Sequence, residues 1–137
     1  MKVLLTGSGG FLGQNITPVL SENYSVYGPR ARNWDLRKQS TCNQLIRYIR
    51  PDVIVHAAGS VGGIGANQEN PGKFMYENLI MGANIIHAAK EFGVSKACTS
   101  CTCSSRATLP TKQYSGSVWR MQAWARTTPC LFIFDPS

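Results

Sequence analysis

No run of apolar residues in this chain approaches the roughly 18 needed to cross a bilayer as a helix. The N-terminal apolar stretch is only Val3-Leu4-Leu5, and the glycines that follow do not make a signal peptide. The expectation is a soluble, cytoplasmic protein with no membrane partner. Acidic residues are scarce: seven Asp and Glu stand against fourteen Lys and Arg, for a formal net charge of +7. The excess does not read as a nucleic-acid surface. The basic residues are scattered, the longest run is the pair Arg37-Lys38, and no basic–aromatic pattern recurs. Basic residues also suit a polyanionic cofactor and an acidic nucleotide substrate. The histidines number two, His56 and His87. Cys98-x-x-Cys101-x-Cys103 therefore lacks a second, well-spaced Cys/His pair, and no metal site is expected. Both histidines are expected to be structural. Five cysteines, an odd count, argue against a disulfide framework.

What is present begins at residue 2. Lys2-Val3-Leu4-Leu5-Thr6 has the composition of a buried strand, and Gly7-Ser8-Gly9-Gly10-Phe11-Leu12-Gly13 reads as a glycine turn opening a helix. The spacing is T-G-x-x-G-x-x-G. Such a turn places the first unpaired amides of a helix, with the positive end of its dipole, where a diphosphate can sit. Gly7 permits the tight turn, Gly10 the close approach of backbone to pyrophosphate, and Gly13 the packing of helix on strand. Structural glycine turns use the same residues, so position directly after an apolar strand is what favours a dinucleotide site.

Further along, residues 11–21 suit a helix with Phe11, Leu12, Ile16, Val19 and Leu20 near one face and a bend at Pro18. Residues 24–27 suit a second strand, closed by Gly28-Pro29. A helix over 42–50, capped by Ser40 or Thr41 and ended by Pro51-Asp52, would bury Leu45, Ile46 and Ile49. Residues 53–58 form an apolar run of strand length, as expected for a parallel strand covered on both faces. A glycine-rich loop follows from Gly59 to Gly65. Residues 71–92 suit a long helix with Pro71 at its start and Gly93 just past its end; Phe74, Asn78, Met81, Ile85 and Ala88 or Ala89 fall at helical spacing. A further central strand is expected at about 96–103. Strands alternating with helices predict an α/β fold, a doubly wound, Rossmann-like parallel sheet with strand order 3-2-1-4. The weak fourth strand would leave an exposed edge.

The composition shifts near Lys96. Six of the seven acids precede residue 97, and after Val94 the remaining Val, Leu and Ile residues are Leu109, Val118, Leu131 and Ile133. The chain therefore divides into a dinucleotide-binding portion, 1–96, and a divergent, irregular tail, 97–137. A truncated or frame-shifted reading frame would account for the tail. Translating the source nucleotide sequence in the other two frames after codon 96 decides that point.

The segment His56-Ala57-Ala58-Gly59-Ser60-Val61-Gly62-Gly63-Ile64-Gly65-Ala66-Asn67, with Pro71, Phe74, Asn78 and Asn84-Ile85-Ile86-His87-Ala88-Ala89-Lys90, resembles the GDP-L-fucose synthases. These are NADP-dependent GDP-4-keto-6-deoxymannose epimerase/reductases within the extended short-chain dehydrogenases. The resemblance covers residues 2–96. It implies that Gly7, Gly10, Phe11, Leu12 and Gly13 surround the pyrophosphate and that Arg30 and Arg32 accept the 2′-phosphate of NADP, for which a guanidinium fork is suited. It places Asp35 and Leu36 beside the adenine, although Asp35, about 20 residues past the glycines, could instead hold the ribose of NAD. It places Ala57, Ala58 and Gly59 along the cofactor, lets Asn78 tie the loops together, and sets Val61, Gly62, Gly63 and Asn67 at the border of a sugar-nucleotide pocket. A family-like homodimer is compatible with it.

Catalysis in that family also needs a Ser or Thr after the next strand, a Tyr with Lys four residues on, and a Cys/His pair for epimerisation. A phenol with an ordinary pKa of about 10 is a poor acid at neutral pH without that Lys. Here Tyr114 is followed by Val118, Tyr76 by Ile80 and Tyr48 by Asp52, so no Tyr-x-x-x-Lys pair exists. An ungapped match from Lys96 puts the Ser/Thr position at Thr102 and the Cys position at Ser104, with Cys103 adjacent. The expected activity is that of the cofactor half of an epimerase/reductase, inactive alone. The alternative is a non-catalytic NAD(P)-binding module or regulator that uses Trp119, Trp124 and Phe132 as partner anchors.

Overall fold

A computed structural model of the chain describes residues 1–100, 122–123 and 131–134. The strands are β1 (Lys2–Thr6), β2 (Ser25–Tyr27), β3 (Val53–His56), β4 (Lys96–Ser100), β5 (Gln122–Ala123) and β6 (Leu131–Phe134). The helices are α1 (Phe11–Ser21), α2 (Gln39–Ile49), α3 (Ile64–Glu69) and α4 (Pro71–Glu91). The sheet runs β2-β1-β3-β4-β6-β5. Its first four strands are parallel, and β6 joins β4 antiparallel. The α/β, Rossmann-like reading holds.

The order 3-2-1-4 does not. β3 lies beside β1 on the side away from β2. The cause is in the strands themselves. β2 is three residues long and largely exposed, which is the character of an edge, whereas β3 is a continuous apolar run that needs a neighbour on each side. After β2 the chain crosses back over β1. The topological switch thus falls between β1 and β3, whose carboxyl ends are Thr6 and His56. The edge expected at β4 is also not open, because β6 pairs along it from Ala97 to Ser100.

Register gives the sheet two faces. Leu4, Ile54 and Ala97 are aligned on one, as are Thr6, His56 and Thr99, and all six are buried. That face packs under α2 and α4, where Leu45, Ile46, Cys42, Ile85, Ala88 and Ala89 complete the core. The helical spacing expected for α4 is borne out: Phe74, Asn78 and Met81 are half-buried and Ile85, Ala88 and Ala89 buried. α4 starts on Pro71, where the missing amide costs nothing, and Gly93 follows it at φ 66°.

Three local expectations are corrected. α2 begins at Gln39 with Lys38 as its N-cap residue and no side-chain cap, because Ser40 and Thr41 already lie within the helix. The loop from Gly59 ends at Gly63, since Ile64–Glu69 closes into α3. In α1 the inward stripe is Gly13, Ile16, Thr17 and Leu20, while Phe11 is 88% and Val19 64% exposed. The helical period was legible there but its phase was not, since glycine and threonine occupy inward positions.

Candidate functional site

The carboxyl ends of β1 and β3 meet at the switch point, where open α/β sheets place their ligands. Gly7 follows β1 with φ 75°, a conformation in which a side chain is strained. A Cβ there would stand 2.5 Å from the Ala58 nitrogen and 2.6 Å from the Ala57 carbonyl carbon. The small residues of both strand ends therefore let the two turns touch. The Gly10 amide donates to the Gly7 carbonyl at 2.9 Å and closes the turn. The first backbone bond of α1 runs from the Gln14 amide to the Gly10 carbonyl at 2.9 Å, so the amides of residues 11–13 precede the helical ladder. The first turn of α1 carries no acidic residue. Its dipole end is left uncompensated, as an anion site requires. Gly13 is buried, and a Cβ on it would stand 2.6 Å from the Ser8 Cα.

Beside this turn lies a cavity of about 480 Å³ lined by Gly7, Arg32, Asp35, Leu36, Ala58 and Gly59, among others. Those six sequence-predicted residues are brought together on one hollow. Arg30, Gly10, Phe11, Leu12, Gly13 and Ala57 do not line it; Phe11 and Leu12 stand exposed at the start of α1. Asn78 also lies behind the wall. Its Oδ1 accepts from the Ser60 amide at 2.6 Å and its Nδ2 donates to the Ser60 carbonyl at 3.0 Å, a two-point clamp on the loop after β3. Val61 is exposed, and Asn67 falls within α3. A Cβ on Gly62 would meet the Ala66 Cβ and the Phe74 ring, each at 2.8 Å, so the loop lies flat on α3 and α4. Thr102, Cys103, Ser104, Trp119 and Trp124 lie outside the described residues.

Several contacts around the cavity were not anticipated. Arg37 grips Asp35 through Nε to Oδ1 at 2.8 Å and Nη2 to Oδ2 at 3.2 Å, and reaches Glu77 Oε1 through Nη1 at 3.3 Å. The Arg37 guanidinium holds the Asp35 carboxyl below its ordinary value. Glu77 is held low chiefly by the Ser60 hydroxyl, then by Arg37 and Lys73. The Leu36 carbonyl accepts the Cys42 thiol at 3.3 Å and the Asn84 amide at 3.0 Å, so the Asp35–Leu36 turn is fixed from inside the core. Burial pushes the Cys42 thiol up to about 11, and it stays protonated. Under the site, Thr6 Oγ1 and His56 Nδ1 are 2.6 Å apart, both buried. Burial pulls His56 down to about 4, which leaves it neutral near pH 7 and in keeping with a structural role. His87 is exposed.

Comparison with known proteins agrees with this geometry. The sequence profile of the NAD dependent epimerase/dehydratase family matches residues 3–118. A GDP-L-colitose synthase of Yersinia pseudotuberculosis is 42% identical over 97 residues, covering 70% of this chain and 32% of that protein. A GDP-L-fucose synthase of Azorhizobium caulinodans is 38% identical over 86 residues, covering 62% of this chain and 28% of its own length. Among solved structures, a GDP-L-fucose synthetase from Naegleria fowleri bound to NADP superposes with a TM-score of 0.59 at 25% identity, over 72% of this chain and 29% of that one. The chain spans about a third of the length of the curated relatives it matches.

Proposed function

The chain belongs to the NAD dependent epimerase/dehydratase family, and on that premise we propose that it carries the NADP(H)-binding portion of a GDP-sugar epimerase/reductase of the GDP-L-fucose synthase kind. One observation carries the reading: the Gly7 turn, at positive φ and pressed on Ala57–Ala58, opens the N-terminus of α1 beside a cavity that also holds Arg32, Asp35 and Leu36. A Cβ at Gly7 would collide with the Ala57–Ala58 backbone, so glycine is what lets the two turns meet at the head of the cavity, an arrangement that fits a dinucleotide.

The residues divide the work. Main-chain amides of the turn from Gly7 to Gly13, Phe11 and Leu12 included, would hold the diphosphate. Arg32 would take the 2′-phosphate. Arg30 stands outside the cavity and would assist from its rim. Asp35 and Leu36 would flank the adenine. Ala57, Ala58 and Gly59 keep Cβ bulk away from the cofactor path, and Asn78 holds Ser60 in place. Val61, Gly62, Gly63 and Asn67 would border the sugar nucleotide, with Thr102 as the position for a catalytic hydroxyl. When bound, the nicotinamide supplies the hydride that reduces a 4-keto sugar; orientation and proton transfer are the protein's share. The sequence holds no Tyr-x-x-x-Lys pair, so on this reading the chain would not supply that pair as the proton donor.

Fluorescence titration tests the reading. Saturable NADPH binding, tighter than NADH, is the expected result, with no turnover of GDP-4-keto-6-deoxymannose. A folded chain that binds neither nucleotide would overturn the cofactor assignment. Measured turnover would overturn the claim that the chain alone is inactive.

A further inference from the structure

The cavity has two walls, the Asp35–Leu36 turn and the Gly59–Ser60 loop backed by α4, and the Arg37 side chain reaches from one to the other along the cavity lining. Arg37 holds Asp35 through two nitrogens and its own backbone amide, which donates to Oδ1 at 3.1 Å, and its third nitrogen extends to Glu77 on α4. Asn78, the next residue on α4, clamps Ser60 through its amide and carbonyl. Asp35, Arg37 and Glu77 all line the cavity. The Arg37 and Asp35 side chains are 52% and 37% exposed, so water screens their pair and it adds little to folding stability. Its consequence is local. Without the guanidinium, two carboxylates would face a ligand that itself carries phosphates, and the walls would lose their bridge.

We infer that Arg37 is a positioning residue of the nucleotide pocket, spanning its two walls and neutralising Asp35 and Glu77 so that a phosphate-bearing dinucleotide can enter. The inference rests on the dinucleotide reading above. Three variants of the full chain, titrated with NADPH by fluorescence, test it. Arg37→Met weakens binding by about five- to tenfold, the scale of one water-screened charge near an anion, while the thermal midpoint stays near that of the parent. Adding Glu77→Gln to Arg37→Met brings binding back to within about threefold of the parent, because the repulsion is removed along with its partner. Glu77→Gln alone binds no more weakly than the parent. An Arg37→Met chain that binds like the parent overturns the inference. So does a double variant as weak as Arg37→Met, since that result would leave Arg37 a mechanical bridge and remove charge neutralisation as a condition of ligand entry. A folded parent chain that fails to bind NADPH is a different outcome: it removes the dinucleotide reading itself.

Discussion

The two faces of the sheet are finished differently. Under α2 and α4, three aligned strands contribute Leu4, Ile54 and Ala97 to a closed core. On the other face, Val3 and Leu5 are buried, but the register partners Val53, Val55 and Cys98 are half-exposed. The helix on that side, α1, leaves Phe11 and Val19 in solvent. The candidate site draws its support from the closed face: Thr6 and His56 lie on it, and the Asp35–Leu36 turn is fastened to it by Cys42 and Asn84. Stability and pocket geometry should therefore respond to the closed face far more than to the open one.

Neighbouring residues of β3 give the sharpest contrast, because they point to opposite faces. Ile54→Ala removes a fully buried side chain and should cost about 3–4 kcal/mol, whereas Val55→Ala, half-buried, should cost about 1 kcal/mol. Urea denaturation of the two variants measures the difference. Equal losses would mean that the second face is packed as tightly as the first.

The closed face also carries the pH dependence. His56 titrates at about 4 in the folded chain against an ordinary 6.5. Below pH 6.5 the unfolded chain takes up a proton that the folded chain refuses, so stability falls as pH falls. The loss ends near pH 4, where both states are protonated. It should total about 3 kcal/mol over that window. Asp35 and Glu77, both held low, act in the same direction but only below their ordinary values of 3.8 and 4.5. His56→Gln keeps a hydrogen-bonding group for Thr6 and removes the titration; the slope between pH 6.5 and 4 should flatten. A slope unchanged in that variant would place the titrating group elsewhere.

The same asymmetry explains what was legible in the sequence. The glycine turn, the long helix after Pro71 and the burial of Ile85, Ala88 and Ala89 follow from local chemistry: a residue that tolerates positive φ, a missing amide at a helix start, a 3.6-residue period. Strand order was less accessible. It depends on which strand accepts an edge, and the exposed residues of β2 carry that signal only when weighed against the apolar run of β3. The six cavity residues that sequence reasoning had named lie on turns with recognisable motifs. Arg37, Glu77 and Ser60 were missed because their partners are 2, 40 and 18 positions away in no fixed pattern. Arg37 lies beside Asp35 in sequence, but nothing local aims it at α4. Cys42 looked solitary in sequence, and its bond to the Leu36 carbonyl arises only when α2 folds back on the turn that precedes it.

The smallest expected effect tests the open face directly. Phe11 is 88% exposed at the first position of α1, and its large ring buries almost nothing there. Phe11→Ser should change stability by less than about 0.5 kcal/mol, the range of a surface substitution. Thermal melting of the variant reads this as a midpoint close to that of the parent. A clear fall in the midpoint would show that the ring is covered in solution, and the difference between the two faces would then be smaller than their side-chain exposures indicate. The residue sits at the mouth of the glycine turn, so the same variant separates packing from binding. If the ring is free, NADPH titration and the melting curve should both stay near the parent; a loss of binding without a loss of stability would assign Phe11 to the pyrophosphate end of the site.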